Sequence, residues 1–196
     1  MQQPITRNDP DLFSKEKENL YFDRKSARLN AKETERHICA FANASGGKLV
    51  IGIEDNGEIT GFKRDGARDI EDFEQAPIVG CDPVPVVQAA RIPVTNAKGE
   101  DDQILVLEIS RSNGHVIARR SDKAVFLRQR DSSVELDRDQ VLALEYDKNQ
   151  RRYEDEVQER ASLEDVDPEQ RPSARPSRPR CLPRGRGPRG DGSLQD

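Results

Sequence analysis

The sequence predicts an α+β fold, a single domain with a mixed or mainly antiparallel sheet that helices flank. Three observations predict it. A helical pattern at residues 31–43 is followed, after a glycine pair, by an apolar β-branched run at residues 49–53. Two further strand-like runs, residues 86–94 and 103–110, are separated by the turn residues 96–99. Helical and strand patterns thus follow one another through short connections.

The helix at residues 31–43 has both a start and an end signal. Asn30 can cap its N-terminus, and Glu33, three residues later, can complete a capping box. Gly46 follows the helix and can adopt the left-handed conformation that often ends one. His37 lies within this helix, and a lone histidine there is expected at the surface or at its boundary.

The remaining elements follow from the same signals. A first strand is predicted before the helix at residues 20–25, which begin with Leu20, Tyr21 and Phe22. After the central strand, Asn56-Gly57 favours a tight hairpin with a return strand at residues 58–62. Further along, the patterns predict a charged one-sided helix, a proline-rich loop, two short strands and a closing helix, in that order: residues 63–75, 77–85, 116–118, 124–130 and 136–146.

Composition divides the chain into three parts. Residues 1–13 are predicted to be a flexible lead-in, since Pro4 and Pro10 oppose regular structure. Residues 14–146 form the predicted domain. Residues 147–196 are charged and then rich in proline, arginine and glycine, which predicts a disordered tail. The arginines between Arg171 and Arg189 can add loose electrostatic affinity or keep the tail soluble.

Charge and cysteine content limit the function classes. The net charge is −5 and the sequence pI about 5.3, which counts against a protein that simply coats nucleic acid but leaves room for a local basic face. The N-terminus lacks a signal-peptide core, and no apolar run approaches the roughly 20 residues of a membrane helix. Cys39, Cys81 and Cys181 are isolated, which predicts a reduced cytoplasmic protein without structural zinc.

Three segments in order carry a resemblance to a known family. The sequence reads AFANASGG, an apolar strand, GIEDNG and ITGF at residues 40–62, preceded by YFDRKS at 21–26 and followed by VFLRQR at 125–130. These segments resemble the AlbA_2 domain, also called the Schlafen AlbA or divergent AAA-4 domain, over residues 15–145. The resemblance implies a nucleic-acid-binding module, bacterial and regulatory. A single copy of the domain suggests a homodimer that forms a clamp.

The resemblance also implies a candidate acidic site. In the Schlafen nuclease branch, acidic residues around the first strand and after the central strand cut RNA, and similar positions here hold Glu18, Asp23 and Glu54 or Asp55. If the two strands are neighbours, these carboxylates converge at one sheet edge, and Glu18, Asp23 and Asp55 could bind Mg²⁺ or Mn²⁺. However, Asp23 stands where glutamate is usual and Arg24 where phenylalanine is. Ordinary solvated acids are the alternative.

A second set of residues is basic. Lys25 and Lys48 lie in segments that match the family core, and Arg24 neighbours them. Arg128 and Arg130 alternate along a predicted strand, so they share a face and can follow a phosphate backbone. The alternative is a row of exposed charges that protects an edge strand.

The favoured function is therefore a nucleic-acid-binding module that contacts the backbone of DNA or RNA, without a cofactor and without enzymatic activity. Few aromatic residues are available for stacking on bases. Gly46-Gly47-Lys48 lacks the spacing of a phosphate-binding loop, which argues against ATP hydrolysis. Two alternatives remain: a metal-dependent endoribonuclease, and a protein-interaction module of a regulatory or defence system.

Overall fold

The structure, a computed structural model, describes residues 8–148, which form a single α+β domain as predicted. Residues 1–7 and the predicted tail from residue 149 onward lie outside the described residues. The elements are α1 (Pro10–Lys15), β1 (Phe22–Lys25), α2 (Ala31–Asn43), β2 (Gly47–Ile51), α3 (Ile70–Gly80), β3 (Cys81–Asp82), β4 (Val87–Thr95), β5 (Asp101–Ile109), β6 (Ala118–Arg119), β7 (Phe126–Gln129), β8 (Ser132–Glu135) and α4 (Arg138–Asp147).

The main sheet has the strand order β1-β2-β5-β4 and is mixed. The β1 and β2 strands are parallel, with Asp23 opposite Leu49, while β2-β5 and β5-β4 are antiparallel. Helix α2 makes the crossover connection that a parallel pair requires. Two smaller ladders, β3-β6 and β7-β8, complete the strand pairing among the described residues.

Each face of the sheet has its own apolar cluster, because side chains alternate along a strand. One cluster joins α2 and α3 to the inward residues of β2 and β5, including Ile38, Phe41, Leu49, Phe73, Leu105 and Leu107. The other is smaller and lies under α1, with Phe13, Phe22, Val50, Ile53, Ile104 and Val106. None of the helices in residues 8–148 has the length and apolar character needed to cross a membrane.

Helix α2 begins and ends as predicted. The Asn30 side chain accepts a hydrogen bond from the Glu33 backbone N–H at 2.9 Å, while the Glu33 carboxylate pairs with Arg36 rather than closing a capping box. Gly46 follows with φ +73°, and a Cβ atom there would lie 2.6 Å from the Ile109 carbonyl oxygen. A side chain at this position would therefore displace backbone of β5.

Asn43 fixes the end of α2 to two distant segments. It is 3% exposed, and its amide group donates to the carbonyls of Ile117 at 2.7 Å and Phe126 at 2.9 Å. Its side-chain oxygen accepts from the Ile117 N–H at 2.8 Å. Thus one amide side chain satisfies three buried backbone groups.

The predicted return strand at residues 58–62 is not formed. Ile53 and Ile59 make a single bridge around the turn, and the backbone N–H groups of Thr60 and Gly61 both donate to the Gly52 carbonyl. The physical reason is that β2 already has a neighbour on each side, so its own return segment cannot pair along it.

The N-terminal stretch predicted to be irregular contains α1. Asp9 caps this helix by accepting from the Asp11 N–H at 3.0 Å, and Pro10 occupies its first position, where a missing N–H costs nothing. Arg24 closes the other end, because its guanidinium donates to the carbonyls of Phe13, Ser14 and Glu16.

Two further elements differ from the sequence prediction. The helix expected at residues 63–75 is α3, which starts at Ile70 and continues through Pro77 to Gly80. The last predicted strand ends at Gln129, and an unpredicted strand, β8, pairs with it as a hairpin. Arg130 therefore lies in the turn of that hairpin, with φ +58°.

Candidate functional site

A buried cluster of charged side chains lies between β1, α2 and β7. Because β1 is extended, Asp23 and Lys25 share the face that α2 covers. The Asp23 carboxylate is 0% exposed, and its Oδ1 lies 2.6 Å from Lys25 Nζ. Its Oδ2 lies 2.6 Å from Arg128 Nη1 and 3.2 Å from His37 Nδ1. Both carboxylate oxygens are therefore engaged by nitrogen donors.

Burial alone would raise the pKa of Asp23. The hydrogen bond from His37, together with the charges of His37, Lys25 and Arg128, instead holds that pKa well below its usual value. The Asp23 carboxylate therefore stays ionised to a lower pH than an ordinary aspartate, and its charge is balanced by its neighbours inside the domain.

Arg128 is the strongest partner of Asp23. Its side chain is 0% exposed, and besides the carboxylate it donates to the carbonyl oxygens of Asn19 and Phe22. Its guanidinium also lies 4.8 Å from the centre of the Phe41 ring. These contacts tie β7 to β1 and α2, so Arg128 holds the fold together from inside.

Lys25 connects the buried cluster to the surface. Its ammonium group also lies 3.1 Å from Glu18 Oε1, and the Glu18 side chain is 27% exposed. Burial opposes the charged form of Lys25, but Asp23 and then Glu18 raise its pKa. Burial and the adjacent Asp23 raise the pKa of Glu18. Glu18 and Asp23, two of the four predicted acids, are therefore brought together, with Lys25 between them.

His37 and Ser133 belong to this cluster but were missed by sequence reasoning. His37 is buried, which corrects the expectation of a surface position, and Ser133 Oγ lies 3.1 Å from its Nδ1. Since Asp23 approaches the same nitrogen, the arrangement is not a catalytic triad, in which carboxylate and hydroxyl use different ring nitrogens. His37 is four residues before Phe41 on α2, and this spacing was the available signal for burial.

Glu54 and Asp55 lie apart from the cluster. Parallel pairing of β1 and β2 puts Glu18 before one end of the strand pair and Glu54 after the other. Glu54 accepts a hydrogen bond from Thr60 Oγ1 at 2.8 Å and pairs with Arg64. Partial burial would raise the pKa of Glu54, but these two hydrogen bonds lower it below its usual value. The Asp55 side chain is exposed. Both residues line a separate cleft of about 600 Å³.

The donor set does not fit a divalent cation. Among residues 8–148, no three His, Cys, Asp or Glu side chains are grouped so that they could hold a metal ion. Asp23 already accepts from Lys25, Arg128 and His37, so a metal would have to displace cationic or N–H partners from both oxygens.

Four of the five predicted basic contacts are held inside the domain or in ion pairs. Counted as whole residues, Arg24 is 9%, Arg128 2% and Lys48 5% exposed. The Lys48 ammonium group lies 3.1 Å from a Glu108 carboxylate oxygen. Lys25 is occupied as described above. The predicted row of Arg128 and Arg130 on one strand face is wrong, because the strand ends at Gln129. Arg130 alone of the five is exposed.

Arg130 borders a surface cleft directly outside the buried cluster. The cleft has a volume of about 450 Å³ and is lined by residues 18–20 on one side and by Arg130 and Asp131 on the other. Lys17, which immediately precedes this first side in the sequence, is exposed. Because Asn19 accepts hydrogen bonds from Arg128, the buried cluster holds the two walls together.

A match to a known protein family covers most of the described domain. The profile of the Schlafen AlbA_2 family matches residues 18–137, which include the acidic and basic residues of the cluster and the central strand. No curated protein matches the sequence. Since the matched region covers more than half of the sequence, the chain belongs to the Schlafen AlbA_2 family.

Proposed function

We propose that this protein is a regulatory nucleic-acid-binding module that contacts the backbone of DNA or RNA without cutting it. Its family supports a nucleic-acid-related role in general. The observation that carries the finer proposal is the state of Asp23, whose two oxygens are engaged by Lys25, His37 and Arg128. A carboxylate neutralised in this way stabilises the fold and is not free to position a metal.

The cleft beside Arg130 is the proposed contact surface. An exposed arginine at a hairpin turn can donate to phosphate oxygens, which are the main determinants of sequence-independent affinity. Lys17 is exposed and immediately precedes the opposite wall in the sequence, and we propose that it supplies a second cation. Glu18 and Asp131 also line the cleft, and because these acids repel phosphate groups, only phosphates within reach of the cations can be bound there.

The charge distribution predicts modest, salt-dependent affinity. Residues 8–148 hold more acidic than basic side chains, whereas the segment from Arg171 to Arg189 has seven arginines and no acid. We propose that this arginine-rich segment adds non-specific attraction, and that the cleft determines how the backbone is placed.

Arg130→Ala is expected to weaken binding of labelled RNA and duplex DNA several-fold at low salt. The loss of one phosphate contact should also reduce the slope of log affinity against log salt by about one. Fluorescence anisotropy across a salt series measures both quantities. Arg138→Ala is the matched control, since Arg138 is also exposed but follows the opposite end of the β7-β8 hairpin. Equal effects of both substitutions would argue against the cleft.

The alternative that the family resemblance raises is a metal-dependent endoribonuclease, which would need Glu18 and Asp23 to exchange the bridging Lys25 for a metal ion. Glu18→Gln tests it better than a change at Asp23, because Glu18 is partly exposed and its substitution leaves the Asp23–Arg128 pair in place. Cutting that requires Mg²⁺ or Mn²⁺ and disappears in Glu18→Gln would support the nuclease. RNA that stays intact in the presence of either metal would argue against the nuclease.

We also propose a cytoplasmic location, where Cys39 and Cys81 remain thiols. We further propose a homodimer, in which the clefts of two copies bind one nucleic acid. At a protein concentration of roughly tens of micromolar, where weak dimers form, light scattering should give twice the mass of one chain. A strictly monomeric mass would contradict the clamp.

A protein-interaction module would bind neither DNA nor RNA at any salt concentration.

A further inference from the structure

Two buried thiols face each other between α2 and β3. Cys39 Sγ lies 3.6 Å from Cys81 Sγ, and its S–H donates to the Cys81 sulfur. Both residues are 0% exposed, and both are free thiols. A disulfide requires about 2.05 Å between the sulfurs, so an approach of roughly 1.5 Å would join them. Nothing in the proposed nucleic-acid contact uses either residue.

We propose that Cys39 and Cys81 form an oxidation site, at which a hydroperoxide converts the two thiols into a reversible intramolecular disulfide. The geometry already pairs the sulfurs, so no rearrangement of elements is needed to bring them together. A pair of this kind in a reducing compartment is transient and responds to oxidant.

The surroundings distinguish the two thiols. The hydrogen bond to Cys81 and burial raise the pKa of Cys39, so Cys39 stays protonated. Cys81 accepts that hydrogen bond, and it lies opposite Arg119 in the β3-β6 ladder. Cys81 also adjoins the exposed Asp82 in the two-residue strand β3, so it is the sulfur that an oxidant reaches first.

Access to the buried pair depends on local opening. The β3-β6 ladder has only two residues in each strand, and Asp82, next to Cys81, is exposed. Short ladders at the surface open at a lower free energy than the central sheet does. A small hydroperoxide can reach Cys81 during such an opening, whereas a large oxidant is excluded.

The chemistry balances with the hydroperoxide as sole oxidant. The Cys81 thiol releases its proton as its sulfur attacks the terminal peroxide oxygen. The O–O bond breaks, a sulfenic acid forms, and the departing oxygen takes up that proton and leaves as the alcohol, or as water from hydrogen peroxide. Cys39 sulfur then attacks the sulfenic sulfur, the S–O bond breaks, and the Cys39 proton leaves with the hydroxyl as water. In total the two thiols lose two protons and two electrons, and these reduce the hydroperoxide to the alcohol and water.

The experiment uses the full chain with Cys181→Ser, so that Cys39 and Cys81 are its only cysteines. The folded protein is treated with hydrogen peroxide, quenched, unfolded, alkylated and digested with trypsin without reductant. Tryptic peptides 37–48 and 69–91 each contain one of the two cysteines. We expect these peptides to be cross-linked at monomeric mass, and a thiol reductant to separate them.

The cross-link should also raise the midpoint of thermal unfolding, because it closes a loop in the unfolded chain. In Cys39→Ser with Cys181→Ser, Cys81 should progress to sulfenic and sulfinic acid instead. Three results would overturn the proposal: both thiols alkylated after peroxide treatment, sulfinic acid without a cross-link in the parent protein, or a cross-link found only between two chains.

Discussion

Asp23→Asn is expected to lower the free energy of unfolding by about 3–5 kcal/mol, the loss typical of breaking one side of a buried ion pair. The substitution removes the negative charge on which Arg128, Lys25 and His37 converge. Arg128 is then left buried with an uncompensated charge. Urea unfolding monitored by circular dichroism measures the change.

Asp131→Asn is the control, since Asp131 is exposed at the neighbouring hairpin turn and should change stability by less than about 0.5 kcal/mol. Combining Asp23→Asn with Arg128→Met should recover part of the loss, because the unpaired cation is removed as well. If Asp23→Asn were as mild as Asp131→Asn, Asp23 would not be the buried counter-ion described above.

The same cluster predicts how stability depends on pH. The pKa of Asp23 is lower in the folded protein than its ordinary value of 3.8, so the unfolded chain binds the proton more readily. The stabilisation is complete above that ordinary value and is lost as the pH falls below it. The raised pKa of Glu18 acts in the opposite direction, so the comparison is best made in Glu18→Gln. Unfolding curves between neutral and acidic pH should lose this dependence in Asp23→Asn.

Asn43→Ala is expected to cost about 3 kcal/mol or more, because it leaves buried backbone groups of Ile117 and Phe126 without partners. The helix itself should remain, since alanine favours it. The loss should therefore appear in tertiary signals and in hydrogen exchange of the Ile117 amide.

Asn43→Asp separates the three bonds. The carboxylate can still accept from the Ile117 N–H but cannot donate to the two carbonyls. It should be destabilising, and a substitution at the exposed Asn113 should be neutral. A neutral Asn43→Ala would show that water replaces the amide and that this residue does not fix the end of α2.

The central elements could be predicted because their patterns are local. Helix α2 has Asn30 before it and Gly46 after it, and the hairpin of β4 and β5 has its turn at residues 96–99. The failed return strand after Gly57 shows the limit of such signals. Whether it pairs depends on which strands already flank β2, and that is a property of the whole sheet.

The candidate site was harder to predict, since its charges are resolved only by partners distant in sequence. Phe126 and Arg128 are two residues apart in one strand, so the sequence indicates that Arg128 faces inward like Phe126. The Asp23 carboxylate that makes this burial possible, however, is 105 residues away in the sequence. Arg24 similarly shares a face with Phe22, and its guanidinium donates hydrogen bonds to helix carbonyls instead of pairing with an acid. Charged residues in a strand therefore do not by themselves indicate a binding surface.

One binding measurement on the full chain tests directly whether this protein binds nucleic acid without cutting it. Labelled structured RNA and duplex DNA are incubated with the protein, with and without Mg²⁺ or Mn²⁺, and run on native and denaturing gels. We expect a retarded band that weakens as salt is raised, weakens further in Arg130→Ala, and contains intact nucleic acid. Metal-dependent fragments that vanish in Glu18→Gln, or no retardation even at low salt, would contradict this expectation.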